Sequence, residues 1–308
     1  MAVPDTPAAE VSGRPVLLNL FLSLRPSQWT KNLLVFAGVL FGRRLFEPTA
    51  VGRSLAAFVI FCGLSGVVYL LNDVLDRDRD RRHPLKSRRP IASGALPAST
   101  ALAAAGAIGV AALAASLLLS WQFAAVGASY VALLALYSGP LKNIVIIDVL
   151  TIAVGFVLRA VAGAVAVEVE ISHWLLICTI LLALFIALAK RRQEIVLLAD
   201  DARSHRAILG EYSPYLLDQM IAVVTASTLI SYAFYTISPE TVLKFGTQWL
   251  GLTIPFPLYG IFRYLYLVHQ REGGGSPADL LLTDRPLLAC VALWALAVAL
   301  MIYRPFGF

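Results

Sequence analysis

Residues 70–94 read LLNDVLDRDRDRRHPLKSRRPIASG, a highly charged segment at the end of a long apolar run. Asp73, Asp76 and Asp80 are spaced i, i+3 and i+7, so at about 100° per residue they share one face of a helix. Asp78 points to another side of that helix. If the apolar helix continues through this stretch, three carboxylates lie together at its end with the Asn72 amide beside them.

The three carboxylates on one face predict a cation site. Crowded carboxylates repel each other and need a positive partner at neutral pH. They offer only oxygen ligands, a set that suits Mg²⁺ with substrate phosphate completing its shell. Lys86, Arg88 and Arg89 follow and can bind the rest of that phosphate. The alternative is a solvated charged loop between two membrane helices, which explains the basic residues but not the spacing of the acids.

The composition places the chain in a lipid bilayer. Of the 308 residues, 59% are hydrophobic and only 14% are charged, which is typical of an integral membrane protein and not of a soluble domain. The net charge of +6 is attributed to basic loops and anionic ligands, with no nucleic acid as a partner. The three cysteines lie inside apolar runs and indicate packing positions rather than disulfides or a metal site.

Long apolar runs predict an all-α bundle of about nine transmembrane helices, because lipid leaves no partner for unpaired backbone groups. The predicted spans cover residues 32–47, 51–76, 97–118, 121–138, 144–167, 172–190, 215–237, 247–269 and 286–303. A shorter piece, Val16–Leu24, is expected to lie along the membrane interface. Residues 1–15 are expected to form a disordered tail, and residues 16–308 a single transmembrane helical domain.

The charges of the loops predict the orientation of the bundle. The loops at 77–96, 139–143, 190–213 and 270–285 fall on one side and hold most of the Lys and Arg residues, so we expect that side to be cytoplasmic in the plasma membrane. Arg43, Arg44 and Arg53 lie on the opposite side and break this rule. The acidic helix end then faces the cytoplasm.

Two further groups of candidate residues fall on the same side. Tyr137 and Lys142 flank a Gly-Pro turn, and Lys190, Arg191 and Glu194 end the sixth span. The tyrosine, lysine and arginine side chains among them donate to phosphate groups. Lys190 and Glu194 are four residues apart, so a helix-end salt bridge is the alternative for that pair.

Arg159 is a candidate because it lies inside the fifth predicted span. An ionisable residue within a span marks a functional site by default. A structural salt bridge inside the bundle is the alternative. Lys31, next to Trp29 at the expected interface, joins the basic residues available to anionic ligands.

The pattern Asn72-Asp73-x-x-Asp76-x-x-x-Asp80 resembles the first acidic motif of the UbiA superfamily of membrane prenyltransferases. The predicted spans, with the motif after the second, fit that fold. In most of the superfamily a second aspartate-rich motif follows the sixth span and binds another Mg²⁺ on a prenyl diphosphate. This chain departs there: it has Lys190-Arg-Arg-Gln-Glu194, with Asp200 and Asp201 further on.

Four stretches resemble one branch of that superfamily, the decaprenyl-phosphate phosphoribosyltransferases. They are Arg25-Pro-Ser-Gln-Trp-Thr-Lys-Asn32, His83-Pro-Leu-Lys-Ser-Arg-Arg-Pro-Ile-Ala-Ser-Gly94, Gly155-Phe-Val-Leu-Arg-Ala160 and Lys190-Arg-Arg-Gln-Glu194. The resemblance implies a Mg²⁺-dependent transfer of 5-phosphoribose from phosphoribosyl pyrophosphate (PRPP) to decaprenyl phosphate, for arabinan synthesis in the cell envelope. A homo-oligomer is included among the expected partners.

The predicted site consists of two sets of residues. The substrate-binding set is large because two anionic substrates need many hydrogen-bond donors. The metal and catalytic set is Asp73, Asp76 and Asp80. The substrate-binding set is Lys31, Asn72, Lys86, Arg88, Arg89, Tyr137, Lys142, Arg159, Lys190, Arg191 and Glu194.

Two other functions stay open. The first is an ordinary UbiA-type transfer of a prenyl group to an aromatic or haem acceptor, against which the missing second acidic motif argues. The second is a membrane transporter with the acids as an ion site. Transport sites lie near the bilayer midplane, whereas these acids lie at a helix end.

Overall fold

The structure, a computed structural model, describes residues 14–82, 86–198, 207–270, 280 and 283–303. Within these ranges the chain is helical and has no strand. The α-helices are α1 (Val16–Ser23), α2 (Ala37–Phe41), α3 (Pro48–Leu75), α4 (Arg77–Arg81), α5 (Pro90–Ser93), α6 (Ala98–Leu119), α7 (Trp121–Ser138), α8 (Ile147–Ala166), α9 (His173–Leu198), α10 (Pro214–Ile237), α11 (Pro239–Phe245), α12 (Pro255–Gln270) and α13 (Arg285–Ile302). Short 3₁₀ segments cover Pro26–Phe36, Lys86–Arg88, Leu141–Asn143, Ala207–Glu211 and Trp249–Thr253. The predicted disordered tail, apart from residues 14 and 15, lies outside the described residues, as do His83, Asp200 and Asp201.

Seven helices of the described chain are long and apolar enough to cross a membrane, namely α3, α6, α7, α8, α9, α10 and α13. They match seven of the predicted spans, so the count of nine is not confirmed. In the predicted span 32–47 the chain forms the end of a 3₁₀ segment and the short α2. In the span 247–269, α12 begins only at Pro255, because proline can start a helix but interrupts one that is already running.

Helix α8 lies at the centre of the bundle and contributes to both of its large apolar clusters. One cluster joins α3, α6, α7 and α8 around Phe61 and Phe123. The other joins α8 to α9, α10 and α12 around Phe185 and Leu217. Side chains of α8 therefore contact both halves of the protein.

Two glycines bring the 3₁₀ segment Pro26–Phe36 and α2 directly against α8. A Cβ atom on Gly163 would overlap the carbonyl group of Val35, and one on Gly38 would overlap the backbone of Gly163. Small residues allow this close backbone approach between membrane helices. Because Arg159 lies one turn before Gly163 on α8, the contact holds the 3₁₀ segment beside Arg159.

The three arginines that break the charge rule all bind the ends of helices. Arg43 donates to the carbonyl oxygen of Lys244 in the last turn of α11, at 3.2 Å. Arg53 donates to the carbonyl oxygens of Ala166 at 2.6 Å and Leu119 at 3.1 Å, and Arg44 donates to that of Val167 at 3.1 Å. The last carbonyl groups of a helix have no intrahelical partner and carry its negative partial charge. These arginines therefore satisfy α6, α8 and α11 at the end of the bundle opposite the acidic motif.

Candidate active site

The helix that carries the acidic motif breaks at Asp76. This residue is the C-cap of α3, with φ −91° and ψ 5°, and α4 begins at Arg77. The backbone N–H groups of Asp76 and Asp80 still donate to carbonyl oxygens four residues earlier, at 2.9 and 2.8 Å. The break is therefore slight. Asp73 and Asp80 stay on one face of the helix, whereas the side chain of Asp76 points elsewhere.

Asp73 and Asp80 converge on one guanidinium group. Nη1 of Arg89 lies 3.1 Å from Oδ1 of Asp73 and 2.6 Å from Oδ2 of Asp80. Nη2 of Arg25 lies 2.5 Å from the same Asp73 oxygen. The two carboxylate side chains are only 3% and 4% exposed, and carboxylates buried this deeply require a cation. Arg89 thus stands at the point where the two acids share a positive charge.

Asp76 faces a different cation. Nζ of Lys142 lies 2.9 Å from Oδ1 and 3.2 Å from Oδ2 of Asp76. Lys142 belongs to the 3₁₀ turn after α7 and is buried. This ion pair joins two of the predicted groups of residues at one end of the bundle. Asn72 lies half-buried beside them.

The donors at this helix end suit a hard divalent cation, since all are carboxylate oxygens. Two of them already share one positive group. In the arrangement of the described residues, however, no three His, Cys, Asp or Glu side chains are grouped to hold a metal ion. Asp76 is directed to Lys142 while Asp73 and Asp80 are directed to Arg89, so ligation by all three requires both basic side chains to move. The metal set stays a prediction.

Arg191 is the centre of a second, buried cluster of charges. Its Nε lies 2.9 Å from Oδ2 of Asp148, its Nη1 lies 2.6 Å from Oε2 of Glu194, and its Nη2 lies 3.1 Å from the Tyr137 hydroxyl. The side chain of Arg191 is 3% exposed and that of Asp148 is fully buried. Two carboxylates therefore compensate the charge of Arg191 within the protein.

Tyr212 completes this cluster from the chain that follows α9. Its hydroxyl donates to Oδ1 of Asp148 at 2.8 Å and accepts the backbone N–H of Ile146 at 2.7 Å. The pKa of Tyr212 is raised to about 12, mainly by burial and also by the hydrogen bond to Asp148, against the lowering effect of the Ile146 N–H. The hydroxyl therefore stays protonated and holds the start of α8 against the segment 207–213.

Arg159 is equally buried, at 4% exposed, but its partners are neutral. Its guanidinium donates to Oδ1 of Asn32 at 2.8 Å, to the carbonyl oxygen of Gly155 at 3.0 Å and to the Tyr130 hydroxyl at 2.6 Å. No carboxylate in the described part of the chain pairs with it. The alternative of a structural salt bridge is therefore not supported. An uncompensated cation inside an apolar bundle costs several kcal/mol, and an anionic ligand offsets that cost.

A polar stripe on α3 connects Arg159 with the acidic end. Ser65, Tyr69 and Asp73 recur every four residues and so share one face, over about 12 Å of helix. Asn32, which binds Arg159, also donates to Oγ of Ser65 at 3.2 Å. Tyr69 lies near enough to interact electrostatically with both Arg159 and Asp73. Arg159 and the acidic end of α3 therefore lie at the two ends of one polar path through the bundle.

The remaining predicted residues lie close to these clusters. Lys86 and Arg88 belong to the 3₁₀ turn between α4 and Arg89. Lys31 is half-buried in the first 3₁₀ segment. Lys190 is exposed, with Nζ 3.9 Å from Oε1 of Glu194, as the salt-bridge alternative for that pair predicts.

Several residues of these clusters were not assigned from the sequence. Asp148 carries a usable signal, because it is a carboxylate in the first turn of an apolar helix, where ionisable residues are rare. Tyr130 and Tyr212 carry none, since their partners lie 29 and 64 residues away in the chain. Asn32 belongs to a stretch that the resemblance singled out, but its bond to Arg159 depends on the folded structure.

Comparison with known proteins identifies the family. The model of the UbiA prenyltransferase family matches residues 32–278. The chain belongs to the UbiA prenyltransferase family. This assignment confirms the predicted resemblance and the all-α, multi-pass membrane fold.

Similar proteins extend the comparison over nearly the whole chain. A decaprenyl-phosphate phosphoribosyltransferase of Corynebacterium glutamicum is 33% identical, over 91% of this chain and 86% of its own. The protein of that name from Mycolicibacterium smegmatis is 32% identical, over 96% of both chains. A solved structure of a UbiA homologue from Archaeoglobus fulgidus bound to DMAPP and Mg²⁺ is 20% identical, with a TM-score of 0.72 over 93% of this chain and 99% of its own. That last likeness concerns the fold.

Proposed function

We propose that this UbiA-family protein transfers 5-phosphoribose from PRPP to decaprenyl phosphate. The products are decaprenylphosphoryl-5-phosphoribose and pyrophosphate, and the lipid product serves the synthesis of arabinogalactan and lipoarabinomannan. The observation that carries the proposal is the similarity, along nearly the full length of both chains, to relatives named decaprenyl-phosphate phosphoribosyltransferase. The basic stretch Lys190-Arg-Arg192 near the end of α9 supports it, because most of the superfamily has a second acidic motif at that place.

The proposed site faces the cytoplasm of a plasma-membrane protein. The acidic end of α3, the turn after α7 and the end of α9 meet at one end of the bundle through the Asp76–Lys142 and Arg191–Asp148 ion pairs. PRPP reaches this end from water. The polyprenyl tail of the acceptor must stay in lipid, so the proposal includes a lateral opening between helices near this end.

The pyrophosphate of PRPP binds at the acidic end. Asp73, Asp76 and Asp80 would hold Mg²⁺ here, and the metal would neutralise the charge that develops on this leaving group. Lys86, Arg88 and Arg89 bind its phosphate oxygens. Arg89 and Lys142 exchange their carboxylate partners for phosphate when the substrate binds. The planar guanidinium of Arg89 and the flexible ammonium of Lys142 can each bind either anion.

The acceptor needs positioning rather than activation. Decaprenyl phosphate is already an anion, so no general base is required. One of its phosphate oxygens forms a bond to C1 of the ribose while the bond from C1 to the pyrophosphate oxygen breaks, and the leaving group takes both electrons. Fixed cations lower the barrier by holding the two reacting groups in line.

Arg159 is the cation best placed for this anion, because no carboxylate among the described residues compensates it. Arg191 positions Tyr137 and the start of α8 from within its own compensated cluster. The other proposed substrate-binding residues are Lys31, Asn72, Tyr137, Lys142, Lys190 and Glu194.

The test is an incubation of the detergent-purified protein with Mg²⁺, PRPP labelled in the ribose and decaprenyl phosphate, followed by lipid extraction. We expect label in an acid-labile lipid, and its loss when EDTA removes the metal. A parallel incubation supplies a prenyl diphosphate and an aromatic acceptor. Prenylated product there, without labelled lipid from PRPP, would assign the protein to conventional prenyl transfer instead. An absence of covalent product from either donor would favour a transporter.

A further inference from the structure

A cavity of about 670 Å³ lies at the end of the bundle opposite the acidic motif. Gly38, Ala160 and Ala164 form its floor, where their small side chains leave room. Phe41 and Tyr235 form part of its wall. Its volume lies within the range of about 300–1,000 Å³ that is typical of small-ligand sites. We call this space the distal cavity, and the reaction proposed above makes no use of it.

Charged side chains of both signs surround the distal cavity. Lys244 of α11 contributes a cation, and Glu170 and Glu240 contribute anions. Lys244 interacts electrostatically with Glu170, yet none of these three forms an ion pair or a side-chain hydrogen bond with any described residue. Their charges therefore remain available to a ligand, although opposite charges face the same space.

Arg44 is a fourth charged group at the cavity, but its guanidinium is already engaged. It donates to the carbonyl oxygen of Val167 at 3.1 Å and lies 3.9 Å from Glu47. Among the Glu, Lys and Arg side chains that line the distal cavity, the unengaged groups are thus two acids and one base, and the imidazole of His173 lines the same space. An anion alone would be repelled by the acids, and a cation alone would be repelled by Lys244, so a ligand carrying both signs satisfies the set.

We propose that the distal cavity binds a zwitterion with a primary ammonium and a phosphate group, which is the chemistry of phosphoethanolamine. Glu170 and Glu240 accept N–H bonds from the ammonium, and Lys244 pairs with the phosphate, as charge-assisted hydrogen bonds do. If the zwitterion is the head group of a phospholipid, its acyl chain lies along Phe41 and Leu175. If it is the soluble molecule, the apolar wall stays bare.

The site is separate from the proposed reaction. Its floor begins at Ala160, one residue after Arg159, but the side chain of Arg159 is directed to Asn32 and Tyr130. The acidic end of α3 lies at the other end of the bundle. Failure of this proposal therefore leaves the proposed phosphoribosyl transfer untouched.

Native mass spectrometry of the detergent-purified full chain tests the proposal. The protein is titrated with phosphatidylethanolamine, phosphatidylcholine and phosphatidylglycerol of the same acyl chains. We expect phosphatidylethanolamine to bind about tenfold tighter than the other two, the difference made by one charge-assisted hydrogen bond. Choline has no N–H to donate, and the glycerol head group has no cation. O-phosphoethanolamine is added as a soluble competitor.

Variants locate the binding in the distal cavity. The double variant Glu170→Gln/Glu240→Gln and the single variant Lys244→Met should each abolish the preference for ethanolamine. Glu168→Gln is the matched control, because that nearby carboxylate pairs with Arg53 at 2.8 Å and does not line the distal cavity. All four positions lie in exposed segments of the outer loops or α11, so thermal unfolding without ligand should match the wild type.

Each outcome decides between the alternatives. Displacement of phosphatidylethanolamine by O-phosphoethanolamine supports a soluble ligand, and a preference that the soluble molecule does not disturb supports a lipid. Equal binding of all three lipids overturns the proposal. So does a preference that survives both the double variant and Lys244→Met, or one that Glu168→Gln removes equally.

Discussion

At the scale of single residues, two buried arginines of similar exposure have opposite electrostatic surroundings. Arg191 is held by the carboxylates of Asp148 and Glu194. Arg159 donates only to an amide oxygen, a carbonyl oxygen and a hydroxyl. Removing a buried charge is costly when it leaves an opposite charge buried and unpaired, and costs less when its partners are neutral. The two residues should therefore respond to substitution in different ways.

Arg191→Met should destabilise the protein by about 3–5 kcal/mol, because it leaves Asp148 buried without a cation. Thermal unfolding in detergent, followed by circular dichroism, measures the loss. Adding Asp148→Asn should recover part of it, since the remaining amide carries no charge. A single variant as stable as the wild type would show that the cluster does not hold α8 and α9 together.

Arg159→Gln should leave the unfolding temperature unchanged or raise it, since no carboxylate loses its partner. We expect it to raise the KM for one of the two anionic substrates by about 10- to 100-fold, the value of a hydrogen bond to a charged group. Arg159→Lys, which keeps the charge, should retain more activity. Wild-type KM values for both substrates in the Gln variant would contradict a role in binding.

Asp73→Asn and Asp76→Asn should each lower kcat/KM by about 100-fold or more, because weaker binding of the metal removes electrostatic stabilisation of the charge that develops on the leaving group. Asp78→Asn is the control from the same helical segment. Its carboxylate is 85% exposed and lies 3.7 Å from Arg81, so activity should be unchanged. Equal losses in all three variants would indicate a general effect of charge near the membrane surface instead of a specific site.

At the scale of elements, the sequence predicts regular helices well and their interruptions poorly. The long apolar runs located α3, α6 and α8 to within a few residues. It could not show that residues 26–36 form a 3₁₀ segment, because that geometry depends on contacts with α8. The spacing of Asp73 and Asp80 correctly predicted a shared face, whereas the cap at Asp76 follows from its ion pair with Lys142, which is 66 residues away.

Contacts between distant parts of the chain also limit what the sequence predicts about the candidate site. Local spacing can place acids on one face of a helix, but it does not indicate which distant basic residue pairs with them in the folded protein. Arg25 reaches Asp73 across 48 residues, and Asp148 meets Arg191 across 43. The first pair forms only when the N-terminal 3₁₀ segment packs against α3, and the second only when α8 packs against α9.

Gly163→Ala tests the close approach of the 3₁₀ segment to α8. The added methyl group would overlap the Val35 carbonyl, so we expect a loss of about 1–3 kcal/mol of stability, as overpacking produces, together with lower activity as Asn32 moves away from Arg159. Gly106→Ala on α6 is the control, because nothing lies within 4 Å of the added carbon. It should match the wild type in both unfolding and turnover. Full activity of Gly163→Ala would show that this contact does not position the site.

At the scale of the whole molecule, the two ends of the bundle use basic residues differently. At the acidic end they face carboxylates, as Arg89 and Lys142 do. At the opposite end Arg44 and Arg53 donate to backbone carbonyl oxygens in addition to lying near Glu47 and Glu168. An arginine that binds a helix end has a structural role. Arg44 and Arg53 therefore count less as exceptions to the loop-charge rule, and the predicted orientation does not change. This distinction supports the proposed orientation.

Cysteine labelling at the two ends of one helix tests that orientation. Helix α3 has 28 residues and is about 42 Å long, enough to cross a bilayer. Glu47, just before α3, and Asp78, just after it, are both exposed. A membrane-impermeant maleimide should label Glu47→Cys only in right-side-out vesicles and Asp78→Cys only in inverted ones. The wild type provides the blank, because Cys62 and Cys290 are buried and Cys178 is partly buried within α9. The opposite pattern would place the acidic end outside, where a reaction that draws on cytoplasmic PRPP could not take place, and labelling of both positions from one side would show that α3 does not span the membrane.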